Sequence, residues 1–269
     1  MKDESDKSTR ILDVGREVRS IRAALSNLDR QTVVVLLFSA FAVILQMKLG
    51  DRSLFRTEIA PSLGIESVGL GSWTWWFLVQ GVLGFICPVL ILRYGFKRSL
   101  KEMGLGLGDW RFASVIGGIY LPVVVLGTWI LSDGGSFQAK YPHYEPAALD
   151  WSVFFVYEAV FLFYWMGWEY LWRGFVLFGT ARVFGIYAIV IQTLPFAILH
   201  YEKPLPEALL AIVGGLAIGA LVWRSRSFWI AVPIHAVQML LLDLFSSLRI
   251  RTGVSGITPA SFLDILEKL

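Results

Sequence analysis

Long apolar runs separated by short polar connections dominate this sequence. Most reach the roughly 17–25 residues that a helix needs to cross a bilayer. The pattern therefore predicts an all-α fold, a polytopic bundle of transmembrane helices with seven spans, or eight. The predicted runs are Thr32–Leu49, Trp73–Leu92, Ala113–Leu131, Trp151–Gly179, Phe184–His200, Glu207–Trp223 and Phe228–Phe245.

A different pattern precedes the first run. Residues 1–31 are polar and basic, but apolar residues recur at alternating spacings of three and four. This periodicity predicts an amphipathic helix that lies on the membrane surface or packs on a partner. The seam residues are Ile11, Val14, Val18, Ile21, Leu25 and Leu28. We therefore divide the chain into a cytoplasmic segment 1–31, a bundle 32–250 and a tail 251–269, in which Pro259–Leu269 forms a surface helix.

Composition supports a membrane protein. The chain is 56% hydrophobic and only 17% charged, which excludes an ordinary soluble domain. The net charge of +3 does not predict nucleic-acid binding, because the lysines and arginines are concentrated in the N-terminal segment and the second connection. Since positive connections stay in the cytoplasm, we expect the N-terminus inside. Cys87 is the only cysteine, which excludes an internal disulfide.

Four polar residues interrupt the later apolar runs. Glu169 and Arg173 lie four residues apart, on one face of a helix and within pairing distance, and His200 and His235 follow. A charge at the bilayer centre costs about 2.5–3.5 kcal/mol on insertion scales, so such residues predict a functional site. A structural ion pair that keeps the span insertable is the alternative. Glu158 lies three helical turns before Glu169 and is expected to line the same polar cleft.

A proline accompanies each histidine. Pro195 precedes His200 by five residues, and Pro233 precedes His235 by two. Each proline removes a backbone hydrogen bond, and the freed carbonyl needs a polar partner or water, which predicts a wet cavity. Straight antiparallel helices would place Glu169 and His200 at different depths. We expect them to meet only if the fourth run begins outside the membrane core or the chain near residues 180–186 re-enters.

The order Glu169-x-x-x-Arg173, Phe196-x-x-x-His200 and His235 resembles the three motifs of the CPBP family, the CAAX-prenyl-protease and bacteriocin-processing-like membrane proteins. The resemblance covers roughly residues 151–245. It implies an intramembrane endopeptidase of glutamate type, without metal or cofactor, that cleaves a protein or peptide tail with a membrane-associated segment. It also implies an integral protein surrounded by membrane lipid, and we expect the plasma (inner) membrane of a prokaryote.

The chain departs from the family motifs at two positions. The usual E-E-x-x-x-R has Trp168 in place of its first glutamate, and the usual H-x-x-x-N has Met239 in place of asparagine. Gln238, one position away, is the nearest amide. Carried over to this chain, the resemblance implies that Glu169 and His200 handle water. It implies that His235 and Gln238 donate to the oxyanion and that Arg173 holds Glu169.

Two other functions remain open at this point. Glu169, His200 and His235 could form the two-histidine, one-carboxylate set of a zinc metalloprotease. Alternatively, Trp168 and Met239 mark lost catalysis in a membrane scaffold or immunity protein.

Overall fold

The computed structural model describes residues 14–66 and 68–269, and every regular element within them is helical. The predicted all-α bundle is confirmed. The main helices are α1 (Val14–Ser26), α2 (Arg30–Leu49), α3 (Val68–Gly95), α4 (Trp110–Ser132), α5 (Trp151–Glu169), α6 (Leu177–Phe184), α7 (Ala188–Ile198), α8 (Leu205–Ser225), α9 (Ala231–Thr252) and α10 (Pro259–Lys268).

Shorter helical pieces connect these helices. A π-helical segment, Tyr170–Val176, joins α5 to α6, and α3 contains two π-helical stretches. Short turns also form after α2, after α4, before α7 and before α9. These pieces are Arg52–Leu54, Phe55–Ile59, Ala60–Ser62, Gly135–Gln138, Glu145–Leu149, Gly185–Tyr187 and Phe228–Ile230.

Six helices in the described part of the chain are long and apolar enough to cross a membrane. Five of them coincide with predicted runs. The remaining two predicted runs, the fourth and fifth, fall together in one helical stretch of 48 residues, Trp151–Ile198. The composition and these helices make the chain an integral membrane protein.

The 48-residue stretch reverses direction at Gly185. There φ is +52° and ψ is −135°, a backbone conformation that is essentially restricted to glycine. After this turn, α7 packs back against the π-helical segment and α6. Glu169 precedes Gly185 by 16 residues and His200 follows it by 15, so both lie roughly 22–24 Å along their helices from the turn. The expected mismatch in depth disappears, because α5, the π-helical segment and α6 form one helix longer than a single span needs.

Two glycines bring α3 and α5 into backbone contact beside the polar residues. A Cβ atom on Gly167 would lie 2.3 Å from the backbone oxygen of Gln80. A Cβ on Gly84 would lie 2.3 Å from the backbone oxygen of Gly167. Neither position tolerates a side chain without separating the helices, so this crossing fixes the end of α5.

We expect Gly167→Ala to lower the unfolding temperature of the purified protein by roughly 2–12 °C. Overpacking costs about 1–3 kcal/mol, and each kcal/mol shifts a chain of this size by about 2–4 °C. Gly127→Ala on α4 is the matched control, because nothing lies within 4 Å of its added methyl group. Thermal scans of both variants by tryptophan fluorescence decide the matter. Equal unfolding temperatures would contradict the close crossing.

Small residues also bring α7 and α8 together. Ala211, Gly215 and Gly219 are all buried. The Nε2 amide of Gln192 on α7 donates to the backbone oxygen of Gly215 at 2.9 Å. The stripe is therefore a packing surface, and it fixes α7, the helix that leads to His200.

The two terminal helices lie at the surface. In α1 the seam residues Val14, Val18, Ile21 and Leu25 are all more than half exposed. The amphipathic helix is confirmed from Val14 to Ser26, Leu28 follows its end, and Ile11 lies outside the described residues. The docking surface of the helix stays a prediction. The predicted C-terminal helix is confirmed as α10, in which only Ile265 is buried.

Candidate active site

The predicted ion pair between Glu169 and Arg173 is confirmed. Glu169 is the last residue of α5, and Arg173 lies in the π-helical segment. The Nη1 atom of Arg173 donates to Oε1 of Glu169 at 3.1 Å, and neither side chain is exposed. π-Helical turns inside α-helices occur frequently at functional sites. The π-helical segment therefore coincides with the buried ion pair of Glu169 and Arg173.

His235, in the second turn of α9, reaches the same carboxylate oxygen. Its Nδ1 donates to Oε1 of Glu169 at 2.6 Å. The indole of Trp165 stacks on the imidazole, with ring centroids 4.4 Å apart. Because a carboxylate only accepts hydrogen bonds, this contact places a proton on Nδ1 and leaves Nε2 for other partners. Glu169 thus orients His235.

His200, which follows α7, is also held by a hydrogen bond through its Nδ1. Its Nδ1 donates to the backbone oxygen of Phe196, one turn earlier, at 2.7 Å. The ring of Phe196 packs 4.5 Å from the imidazole. In this tautomer Nε2 of His200 carries a lone pair and can accept a proton.

The ring of Phe196 joins the two histidines to the ion pair. The guanidinium of Arg173 lies 3.9 Å from its centroid. The imidazole of His235 lies 6.0 Å away and the indole of Trp168 5.9 Å away. The Phe196-x-x-x-His200 motif therefore brings α7 against both the π-helical segment and α9.

A cavity of about 420 Å³ opens beside these residues, and its wall includes His200, His235, Trp168 and Met239. Glu169 is not part of the wall. It is fully buried and faces His235 and Arg173 instead. We expected Glu169 to line the cavity with the histidines, but adjacent helix positions differ by about 100° in direction, so Trp168 takes that place.

Gln238 does not reach the cavity either. Its Oε1 accepts a hydrogen bond from the hydroxyl of Tyr120 on α4 at 2.8 Å. Met239 is four residues after His235, about one helical turn, and lines the cavity with it. The amide of Gln238 thus pairs with α4 and makes no hydrogen bond to either of the two described histidines.

Sequence reasoning missed a charged cluster that contributes Lys203, His143 and Glu207 to the cavity wall. The Nζ of Lys203 donates to the hydroxyl of Tyr141 at 2.6 Å and lies 3.2 Å from Nε2 of His143. The hydroxyl of Tyr141 donates to Glu207 at 2.6 Å. Burial lowers the pKa of Lys203, and burial followed by the nearby Lys203 charge lowers the pKa of His143 well below its usual range. In the sequence these residues lie in or beside polar connections that carry no helical pattern.

The geometry does not assemble the zinc set considered from the sequence. Within residues 14–66 and 68–269, no group of three or more histidine, cysteine, aspartate or glutamate side chains could hold a metal ion. Oε1 of Glu169 already accepts from Arg173 and His235. The donor arrangement therefore gives the metalloprotease alternative no support.

Comparisons with known proteins agree with the motif analysis. Residues 147–241 match the family described as Type II CAAX prenyl endopeptidase Rce1-like. Neither the curated proteins nor the solved structures contain a match. The matched segment contains Glu169, Arg173, His200 and His235, and it implies the fold of a CAAX-type intramembrane protease. Over residues 147–241 the chain is therefore similar to the Rce1-like type II CAAX prenyl endopeptidases, and the resemblance to the CPBP family is confirmed.

Proposed function

We propose that this protein is an intramembrane endopeptidase that hydrolyses a peptide bond in a protein or peptide tail presented at the membrane. One observation carries the proposal. His200 and His235 come from two different helices, line one cavity, and are both held through Nδ1. That arrangement leaves two Nε2 atoms for water and substrate. The family match over the same segment supports the reaction class.

His200 is the proposed base. Its Nε2 takes a proton from a water molecule, and the water oxygen forms a bond to the carbonyl carbon of the peptide. The carbonyl oxygen becomes an oxyanion. The C–N bond then breaks, and the proton on His200 passes to the leaving amine. A base must lie within hydrogen-bond reach of the water, and the cavity wall provides that position.

His235 and Glu169 have supporting roles in this proposal. A protonated His235 donates from Nε2–H to the oxyanion, and the carboxylate of Glu169 at 2.6 Å balances its charge. Arg173 donates to the same carboxylate and holds it in place. Glu169 therefore acts through His235 rather than on water directly, and it is a positioning residue.

The oxyanion requires further donors, since Met239 cannot donate a hydrogen bond. Trp165 and Trp168 both line the cavity, and the indole N–H of each is buried without an acceptor. A buried donor without a partner costs free energy, which a bound acceptor would recover. We propose that these indoles, together with His235, take the place of the family's asparagine.

Trp165→Phe and Trp168→Phe are each expected to lower kcat by about 10²-fold, the effect of removing one oxyanion donor. The replacement keeps an aromatic ring on the cavity wall. Trp172→Phe is the matched control, because its indole N–H is also buried without an acceptor but Trp172 does not line the cavity. Steady-state cleavage rates of the three variants test the assignment. A loss of equal size in all three would refute it.

The function itself is tested with the full chain in proteoliposomes and synthetic peptides that carry a lipid-modified C-terminal tail. Mass spectrometry identifies the products. Wild-type protein is expected to cleave, and Glu169→Gln is expected to lower kcat by about 10²-fold with KM unchanged, because His235 loses its orientation. Unchanged cleavage by Glu169→Gln at normal protein abundance would remove Glu169 from the mechanism. Absence of cleavage by folded wild-type protein would contradict the proposed activity.

The second candidate is a non-enzymatic membrane scaffold or immunity protein. Trp168 and Met239, which replace the two motif residues, both form cavity wall. In that case Glu169, Arg173 and His235 only hold α5 and α9 together. The scaffold function predicts that Glu169→Gln leaves function in cells nearly intact, whereas loss of Arg173 destabilises the protein.

The membrane setting of this proposal follows the sequence. We propose that the N-terminus lies in the cytoplasm of a prokaryotic cell and that the bundle spans the inner membrane. The positive residues of the N-terminal segment and of the connection between α3 and α4 support this orientation. The proposed partners are membrane lipid and a substrate with a membrane-associated segment. We propose no nucleic-acid partner.

A further inference from the structure

A second polar cluster lies between α5 and α9, outside the cavity wall. It contains Glu158 on α5 and Asp243 on α9, whose carboxyl groups lie within hydrogen-bonding range of each other. Asp243 is fully buried. We expected Glu158 to line the cleft of Glu169, but the structure turns it toward Asp243 instead. The described helices therefore hold a second acidic pair, with Asp243 buried and Glu158 partly buried, that the proposed chemistry does not use.

Several oxygens of this cluster have no partner. Both carboxyl oxygens of Asp243 and Oε1 of Glu158 are buried without a hydrogen-bond donor. Ser246 and Ser247 are also fully buried, and neither hydroxyl has a partner. These serines follow Asp243 by three and four residues, so they lie on the same face of α9. Within the described residues, two buried serine hydroxyls without a partner therefore lie on the side of α9 that carries Asp243.

The neighbouring charged residues do not neutralise the charge of the Glu158–Asp243 pair. Besides Glu158, the charged residues Lys203 and Glu207 lie within electrostatic range of Asp243. They carry opposite charges and already pair with each other, with Nζ and Oε1 3.6 Å apart. The buried hydroxyl of Tyr157 also lies nearby and has no partner. The cluster is therefore rich in oxygen acceptors and poor in positive charge.

Two ligands could stabilise such a cluster. A proton shared between the carboxyl groups would satisfy one oxygen of each and leave the remaining oxygens and both serines unpartnered. A hard cation coordinates six to eight oxygens at once, from carboxylates, neutral oxygens and water. Five oxygens without a partner belong to Asp243, Glu158, Ser246 and Ser247. A cation could coordinate all five, whereas a shared proton would satisfy one oxygen of each carboxyl group.

We propose that Glu158 and Asp243, with the hydroxyls of Ser246 and Ser247, bind a hard, oxygen-preferring cation. Ca²⁺ fits best, since its two charges balance the two carboxylates and, unlike Mg²⁺, it accepts protein oxygens in a flexible geometry. The cation would join α5 and α9, the helices that carry Glu169 and His235. Its role is to stabilise that packing, and the proposal does not depend on proteolytic activity.

The test measures the unfolding temperature of the purified full chain in detergent. Protein is first treated with EDTA in choline chloride buffer, and CaCl₂, MgCl₂ or NaCl is then added. At a Ca²⁺ concentration about 100 times Kd, the unfolding temperature is expected to rise by roughly 5–10 °C. A rise with Na⁺ or Mg²⁺ instead would support the cation site and reassign its ion.

Variants locate the response within the molecule. Asp243→Asn is expected to abolish the rise, and Ser246→Ala with Ser247→Ala to weaken it. Glu158→Gln carries the test if Asp243→Asn does not fold. Asp264→Asn is the matched control, an exposed carboxylate on α10 that pairs with Lys268, and it should keep the full response. The proposal is overturned if no cation stabilises the wild type, if Asp243→Asn or Glu158→Gln responds as Asp264→Asn does, or if stability follows pH alone.

Discussion

His200→Ala is expected to lower kcat by about 10²–10⁴-fold without unfolding the protein, the usual contribution of a general base. The imidazole reaches the cavity at the end of α7, where its Nδ1 bonds only to the backbone oxygen of Phe196. Alanine removes the Nε2 lone pair and leaves the contacts of the buried ion pair intact. The measurement is the steady-state cleavage rate in proteoliposomes at matched protein abundance.

Tyr201→Phe provides the neighbouring control for that experiment. The ring of Tyr201 is 73% exposed, and its hydroxyl donates to Glu202 rather than to any residue of the site. It should cleave at the wild-type rate. If His200→Ala and Tyr201→Phe retained equal activity, His200 would not be the base, and a folded His200→Ala protein with full cellular function would favour the scaffold.

Arg173→Met is expected to produce the largest loss of stability. Arg173 and Glu169 are both fully buried, so methionine removes the guanidinium of the pair and leaves the carboxylate inside the bundle with His235 as its remaining partner. Breaking a buried pair in this way costs about 3–5 kcal/mol, which corresponds to roughly 6–20 °C in unfolding temperature for a chain of this size. Thermal scans of the purified variant in detergent measure the effect.

A double variant separates the charge effect from lost packing. Glu169→Gln combined with Arg173→Met removes both charges and should recover part of the lost stability, because neighbouring residues couple in a double-mutant cycle. Lys268→Met breaks an exposed pair with the same spacing, Lys268 to Asp264, and should change the unfolding temperature little. A double variant no more stable than Arg173→Met would show that the contact between Arg173 and Phe196 dominates instead.

The charged cluster of Tyr141, His143, Lys203 and Glu207 contributes three of its side chains to the cavity wall. It joins the connection after α4 to the start of α8. The backbone N–H of Lys203 also donates to the backbone oxygen of His200 at 2.9 Å. The turn from His200, the proposed base, to Lys203 is therefore held in place by residues that lie outside the motifs.

Local features of this protein follow from the sequence alone. The apolar runs, the N-terminal amphipathic helix and the pairing of Glu169 with Arg173 depend on spacing within one helix. Such spacing is fixed by helical geometry whatever the rest of the chain does. The family resemblance also follows from the sequence alone, since the order and spacing of Glu169, Arg173, His200 and His235 suffice to identify it.

The tertiary structure decided which of these residues face the cavity. Gly185 reverses the chain so that His200 returns to the level of Glu169, and the packing of α9 directs His235 onto the same carboxylate. The same packing places Trp168 and Met239 on the cavity wall, holds Gln238 against Tyr120 and turns Glu158 toward Asp243. Helical periodicity limits a side chain to a face of its own helix. Which face meets a cavity depends on how neighbouring helices are rotated and how closely they approach, and those contacts join residues far apart in the sequence.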